Sequence, residues 1–436
     1  MTHDPQNAAR ASAQVLEIYV DGEHVAQLEF DDTAAPTLTY CEGWIESPGS
    51  FPVSLSMPLS SKVHGSPVCF NYFDNLLPEG KFRDYLASAI HADRDSLNSL
   101  IRNFNADLPG ALRIRPKSTP PAEVKTKRSK ILLEWDVLNR FLEDERPTSQ
   151  LLSEKFEMAF SLAGLQDKFT CQYDARTRQM FLTDGMETST HIVKVNLKWK
   201  NSRVVENEFF CLSLAKSVGL IVTEHKLENI RSLENPILIL TRYDRYREKN
   251  KAEVCRRHQE DFCQVFGAPL AKKYESEGGQ SFLDIYKRLR SESSNPIADL
   301  DMLLNWLCFN FIIGNADSHA KNISLLLQAG SVRLAPLYDL VSTEIYGSRF
   351  RRRFAFQIGG ENECDKVRKR NIQVLEGEIG VKEGFLVRKF WRMADLIENR
   401  MQGAAESLEQ IRPESSIPKR VERVIRKRIL HIRKHF

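Results

Sequence analysis

The sequence lacks paired cysteines. Its eight, Cys41, Cys69, Cys171, Cys211, Cys255, Cys263, Cys308 and Cys364, are scattered, with no CxxC pair and no zinc-ligand spacing. That pattern argues against a disulfide-stapled scaffold or a zinc ribbon, and reduced, mostly buried thiols are expected. There is no basic-then-apolar stretch of the signal-peptide kind in residues 1–14, and no uninterrupted apolar run approaches the ~20 residues of a membrane span. Charge of one sign is scarce: 62 basic against 58 acidic side chains give a net +4, so only local clusters would attract a polyanion. No internal repeat and no low-complexity tract appears. No P-loop and no GxGxxG is present. With 42% hydrophobic and 28% charged residues over 436 positions, the chain reads as a soluble, cytoplasmic globular protein of two or three domains without membrane partners.

The organisation follows from local patterns. VLEIYV at 15–20 alternates like a strand, Asp21-Gly22 is a hairpin turn, and HVAQLEF completes the hairpin. TLTYCEGW continues the strand signal, and FRDYLASAI at 82–90 reads as a helix. Residues 1–115 therefore form a small α+β subdomain. Residues 116–130, PKSTPPAEVKTKRSK, are rich in proline and lysine and form a linker. In 131–245, MAFSL, KFTCQY, HIVKVN and PILILTRYD are strands, and residues 206–216 carry apolar side chains at helical spacing. From 246 to 436 the pattern is mostly helical, with LLNWLCFNFIIG at 303–314 the most apolar helix and two short strands, ISLLLQ and VRLAPLYD, after it. The class is α+β, with a β-rich lobe followed by a helical one, the layout of kinase-like folds.

One stretch carries most of the chemical information. Residues 314–322, GNADSHAKN, follow the apolar helix, and Asp339 comes seventeen residues after Asn322. Phosphoryl transfer needs a carboxylate to orient the attacking hydroxyl and accept its proton, and oxygen ligands for magnesium. Asp317, Asn322 and Asp339 have the order and spacing of such a set. On spacing alone, DSHAKN fits a polar turn with an asparagine cap equally well. Lys194 in HIVKV sits inside an apolar strand, where it could reach ATP phosphates or, as an edge lysine, water. Glu208 on the following helix is its candidate partner. Residues 161–168, SLAGLQDK, lie between two strand candidates, and backbone N–H groups there, with Lys168, could meet phosphate oxygens. A hairpin with an exposed lysine fits as well.

Together these stretches resemble the HipA family of serine/threonine kinase toxins. The matching segments are SLAGLQDK, HIVKV, residues 206–220 (ENEFFCLSLAKSVGL), 241–245 (TRYDR), 258–267 (HQEDFCQVFG), 273–279 (KYESEGG), 313–324 (IGNADSHAKNIS), 334–342 (LAPLYDLVS) and, nearer the start, 73–80 (FDNLLPEG). The resemblance spans nearly the whole chain in order. It implies a two-lobed protein-kinase-like fold that uses ATP and Mg2+. Asp317 would be the catalytic base, and Asn322 and Asp339 the metal ligands. Lys194, Lys168, Ala163, Gly164, Thr241, Tyr243, His319 and Lys321 would line the nucleotide. Tyr243 would lie near the adenine. Ser161 would be autophosphorylated, which places nearly two negative charges where ATP phosphates sit and silences the enzyme. The family's partners are a helix-turn-helix antitoxin dimer (HipB-like), operator DNA through that complex, and a translation protein as substrate, with glutamyl-tRNA synthetase as the precedent.

Other segments carry no obvious catalytic chemistry. Gln259, Glu260 and Asp261 would hold the catalytic loop, meet a substrate or form buried polar structure, and Phe262 and Phe266 read as core. KYESEGG is equally silent. Thr241 stands where some relatives have Glu. The basic runs 245–257 and 349–353 read as solvated loops or partner contacts. Residues 419–436 hold eight Lys or Arg, with Val421, Ile425, Ile429 and Ile432 on one face, which predicts a packed last helix with a basic outer surface. Two other functions fit the sequence: a silenced kinase fold acting as corepressor, and a small-molecule or lipid kinase.

Overall fold

The computed structural model describes residues 15–103, 107–117, 130–156, 167–183, 187–196, 202–229, 235–249, 253–351 and 353–436. The chain folds into two compact units that interleave along the sequence. The first takes residues 1–194, 244–270 and 326–330, and the second 195–243, 271–325 and 331–436.

In the first unit, β1 (Val15–Val20) and β2 (Glu23–Phe30) form an antiparallel hairpin. Asp21 (φ 47°) and Gly22 (φ 91°) both occupy the left-handed region, as the tight turn of a two-residue hairpin requires. β3 (Pro36–Tyr40), β4 (Val63–His64) and β5 (Arg113–Pro116) extend this to a five-stranded sheet in the order β4-β3-β2-β1-β5. Alternation buries Leu16, Ile18 and Val20 of β1, and the helix Val68–Leu76 adds Cys69, Tyr72, Phe73 and Leu76 to the same core. Helix Gly80–Ala89 forms where FRDYLASAI was read. The strand signal in TLTYCEGW ends at Tyr40, and Glu42–Ile45 is a helical turn. A second group of strands comprises β6 (Ile131–Leu132), β7 (Lys168–Asp174), β8 (Gln179–Leu182) and β9 (His191–Lys194), with β7 paired to β8 and β9.

The chain after 246 is less helical than its pattern suggests. Strands Arg245–Arg247 and Val254–Arg256 pair as a hairpin, and His258–Asp261 is a third strand. Three- and four-residue strands are too short for alternation to register, and the basic residues between them resemble loop. In VRLAPLYD the strand covers only Ser331–Leu334, because Pro336 has no N–H to extend the ladder. MAFSL and most of the linker lie outside the described residues.

The second unit is built on long helices. Pro296–Ile313 starts with Asn295 accepting a bond from the Ala298 N–H and Pro296 in the first turn, and stops at Gly314 (φ 68°). Among the described residues this is the one helix long and apolar enough to cross a membrane. Its large side chains are instead core: Trp306, Phe309 and Phe311 are buried, with Phe311 against Phe390 and Phe436. Helices Val204–Ser217, Phe385–Ile411 and Ile417–His435 complete the unit. The last buries Val421, Ile425, Ile429 and Ile432, as its periodicity predicts. Its basic side is partly satisfied within the unit, since Arg428 donates to Glu344 (2.5 Å) and Asp365 (2.6 Å), and Arg433 to Glu398 (2.5 Å). Cys41 is half-buried and the other seven cysteines are buried.

Candidate active site

The site in the second unit begins at Gly314. A Cβ there would meet Val424 Cγ1 at 2.7 Å and Glu344 Oε2 at 3.0 Å, so the left-handed turn and the tight fit both demand glycine. The following loop is held by its own side chains. Asn315 donates to Asn310 Oδ1 (2.8 Å) and to the Asp339 carbonyl (3.3 Å), while its Oδ1 accepts the Asp317 N–H (3.1 Å). Asn322 donates through Nδ2 to the Asp317 carbonyl (2.7 Å), and the Ala316 N–H is taken by Thr343 Oγ1 (2.8 Å). Asn315 is thus the side chain that ties the stretch around Asp317 to Asp339. The sequence contained it, but an asparagine beside a helix end reads first as a cap.

Asp317 sits in a crowded but open position, its side chain 42% exposed. Burial pushes its pKa up from the usual carboxylate range. The charge of Asp339 pushes the same way, while a hydrogen bond from Tyr274 and the charges of Lys273 and Arg351 pull down. Tyr274 donates its hydroxyl to Asp317 Oδ1. The Tyr274 hydroxyl is itself driven well up, first by burial and then by Asp317. His319 Nε2 lies 3.7 Å from Asp317 Oδ1, and its ring meets Tyr274 edge-on at 4.8 Å. The Arg351 guanidinium lies 3.8 Å over the Tyr274 ring and pairs with Glu277. Neither KYESEGG nor the basic run 349–353 carried a chemical assignment by sequence. A phenol and a guanidinium acquire one only by proximity to Asp317.

Asp339 has φ 52°, a left-handed conformation unusual for a non-glycine residue. The preceding Tyr338 donates to the Lys321 carbonyl (2.8 Å), shares a bond with Ser324 Oγ (2.6 Å) and stacks on Tyr243 at 5.9 Å. Lys321 and His319 are buried in the loop. Thr241 ends the strand Ile237–Thr241, where its N–H donates to the Glu224 carbonyl (2.8 Å). Hence Asp317, Asn322, Asp339, His319, Lys321 and Tyr243 all belong to a single cross-linked region of the second unit. The donors suit a hard cation: an Asp339 carboxylate close enough to perturb Asp317, and an Asn322 amide whose Nδ2 is already committed. Among the described residues no group of three His, Cys, Asp or Glu could cage a metal.

The first unit holds the lysines. Lys168 and Lys194 stand directly opposite in the β7–β9 register, so their side chains share a face. Two like charges in this relation repel, and Lys194 is only 3% exposed. Glu208 is fully buried on the helix Val204–Ser217 of the second unit. Ser161, Ala163 and Gly164 lie outside the described residues. The end of their segment is anchored within the first unit, where Asp167 accepts from Thr148 N (2.5 Å), Ser149 N (3.1 Å) and Ser149 Oγ (2.6 Å) at the start of the helix Thr148–Phe156. HQEDFCQVFG is buried structure of the first unit: Glu260 accepts from Ser54 Oγ (2.5 Å) and Leu55 N (2.9 Å), and Phe262 is core. In TRYDR, Arg245 donates to Asp107 (2.9 Å) and to the carbonyls of Leu108 (2.8 Å) and Gly110 (2.9 Å).

Known proteins resemble this chain along most of its length. The HipA-like C-terminal domain family matches residues 160–420, and the HipA N-terminal domain family matches residues 16–115. A putative kinase, Y4mE, of Sinorhizobium fredii is 32% identical over 407 residues, covering 91% of this chain and 93% of that protein. The serine/threonine-protein kinase toxin HipA of Shewanella oneidensis is 29% identical over 395 residues, 88% of each chain. The solved Shewanella oneidensis MR-1 complex of HipA, HipB and operator DNA contains a chain that matches with a TM-score of 0.81 and 26% identity, over 96% of this chain and 97% of that one. In sequence along nearly its whole length and in its α+β fold, the chain belongs to the HipA family.

Proposed function

We propose that the chain is a serine/threonine protein kinase and growth-inhibiting toxin. The observation that carries this reading is the loop in which Asn322 ties down the Asp317 backbone while Asn315 bonds both the Asp317 N–H and the Asp339 carbonyl. In this reading a substrate serine or threonine hydroxyl donates to Asp317. Its oxygen forms a bond to the ATP γ-phosphorus as the bond to the bridging oxygen breaks, ADP departs, and the proton passes to Asp317. The raised pKa of Asp317 makes it a better proton acceptor than an ordinary surface carboxylate. Asn322 and Asp339 would hold Mg2+, which when bound neutralises charge on the phosphates. Lys168 and Lys194 would meet phosphate oxygens. Tyr243, Thr241, His319, Lys321, Ala163 and Gly164 complete the nucleotide set.

Ser161 is the proposed autophosphorylation site, and its phosphate would silence the enzyme. The partners follow the relative's assembly: a HipB-like helix-turn-helix antitoxin dimer and operator DNA, with a cytoplasmic protein, such as glutamyl-tRNA synthetase, as substrate. The test is to incubate purified chain with ATP and Mg2+ and map phosphate by intact and peptide mass, beside Asp317→Gln. Phosphate on Ser161 of the wild type alone supports the reading. ATP binding without transfer to protein would favour a corepressor or a small-molecule kinase.

A further inference from the structure

Tyr274 is buried, 7% exposed, yet its hydroxyl ends on a carboxylate that is not. A tyrosine serving only the core would end on a backbone carbonyl or water. The residue is fixed from four sides. Its carbonyl accepts the N–H groups of Glu277 (3.0 Å) and Gly279 (3.0 Å). Gly279 admits no side chain, since a Cβ would lie 2.2 Å from the Lys272 carbonyl oxygen and 2.8 Å from that of Tyr274. The His319 ring abuts the phenol edge-on, and Arg351, paired to Glu277, covers the ring. Asp317 has two oxygens. The hydroxyl engages Oδ1, which restrains rotation of the carboxylate.

We propose that Tyr274 is a positioning residue that sets the orientation of Asp317, and that Arg351 seats the Tyr274 ring. This rests on the kinase reading. Misplacing a reacting group by about 1 Å costs on the order of 100-fold in rate without weakening substrate binding. Tyr274→Phe keeps the ring, the His319 contact and the Arg351 contact, and removes only the donor.

The experiment uses the full-length chain and follows the first turnover of γ-phosphate from Mg·ATP onto the chain itself by intact mass. A fluorescent ATP analogue reports nucleotide affinity. Tyr274→Phe is expected to slow transfer by about 30-fold and leave analogue affinity within about twofold. Arg351→Lys, which keeps the positive charge near Asp317 and loses the planar guanidinium over the ring, is expected to slow it by about fivefold, and the double variant to match Tyr274→Phe alone, because the lost stacking acts only through that hydroxyl. Transfer by Tyr274→Phe at or above the wild-type rate overturns the proposal, as does multiplication of the two effects in the double variant. Equal loss of transfer and analogue affinity also overturns it, since that marks a structural role. A wild-type chain that binds the analogue and never transfers phosphate removes the kinase reading itself, and the positioning role with it.

Discussion

HQEDFCQVFG and KYESEGG look alike in sequence. Both are short, polar and aromatic, and neither has a recognisable catalytic pattern. The structure gives them different surroundings. In the first, Glu260 accepts from the Leu55 N–H and Ser54 Oγ, and His258 bonds the Val53 carbonyl (2.8 Å) and the Ala111 N–H (3.4 Å), all within the first unit. In the second, Tyr274 ends on Asp317 and brings Arg351 with it. A polar motif is therefore neither structural nor functional by composition. What decides is whether its partner is a spent backbone group or a titratable side chain open to solvent.

That contrast breaks down unless the two motifs respond to different measurements. The largest effect is expected at the partner of the second motif. Asp317→Asn should lower phosphoryl transfer by about 1,000-fold, roughly 4 kcal/mol in the barrier. Because its carboxylate is held against burial, the thermal midpoint should stay level or rise. A fall of several degrees would make Asp317 a structural residue like Glu260. In the first motif, Glu260→Ala should cost about 2 kcal/mol of stability by removing the acceptor of Ser54 Oγ and the Leu55 N–H, read as a lower urea midpoint. The transfer rate per folded molecule should not change. If it does, the HQED segment supports catalysis and the contrast fails.

The smallest effect concerns pH. Burial pulls the His258 pKa down to about 4, against a bond to the Val53 carbonyl and the charge of Asp244 that favour the proton. The folded ring is neutral, with Nε2–H donating to Val53 and Nδ1 accepting from Ala111. An unfolded histidine takes its proton near pH 6.5. Between those values the unfolded chain holds the extra proton, so stability falls as pH drops from about 6.5 toward 4 and levels off below. By pH 5 this site alone should remove about 2 kcal/mol. His258→Gln should flatten that part of the stability–pH curve, and an unchanged slope would show that His258 titrates normally. Transfer at fixed pH should distinguish none of this, which sharpens the separation of the two motifs.

The order Asp317, Asn322, Asp339 could be read beforehand, but on spacing alone a polar turn with an asparagine cap fitted equally well, and only the family resemblance favoured a catalytic set. Two long helices were legible too, Pro296–Ile313 from its strongly apolar run at 303–314 and Ile417–His435 from its 3.6-residue period. So was the Asp21-Gly22 turn, whose two left-handed residues are a local requirement. The hairpin Arg245–Arg247 with Val254–Arg256 was not, because three residues carry no period and its lysines and arginines resemble a solvated loop.

Sequence alone determined family, fold class and the chemistry-bearing loop, because those depend on residue types at short range. Tertiary structure alone decided which polar groups meet. Asp317 and Tyr274 are 43 residues apart and Asp107 and Arg245 are 138 apart. No local rule links such pairs, since hydrogen bonds and screened charges act over a few ångströms, and only the folded core brings distant residues within that range.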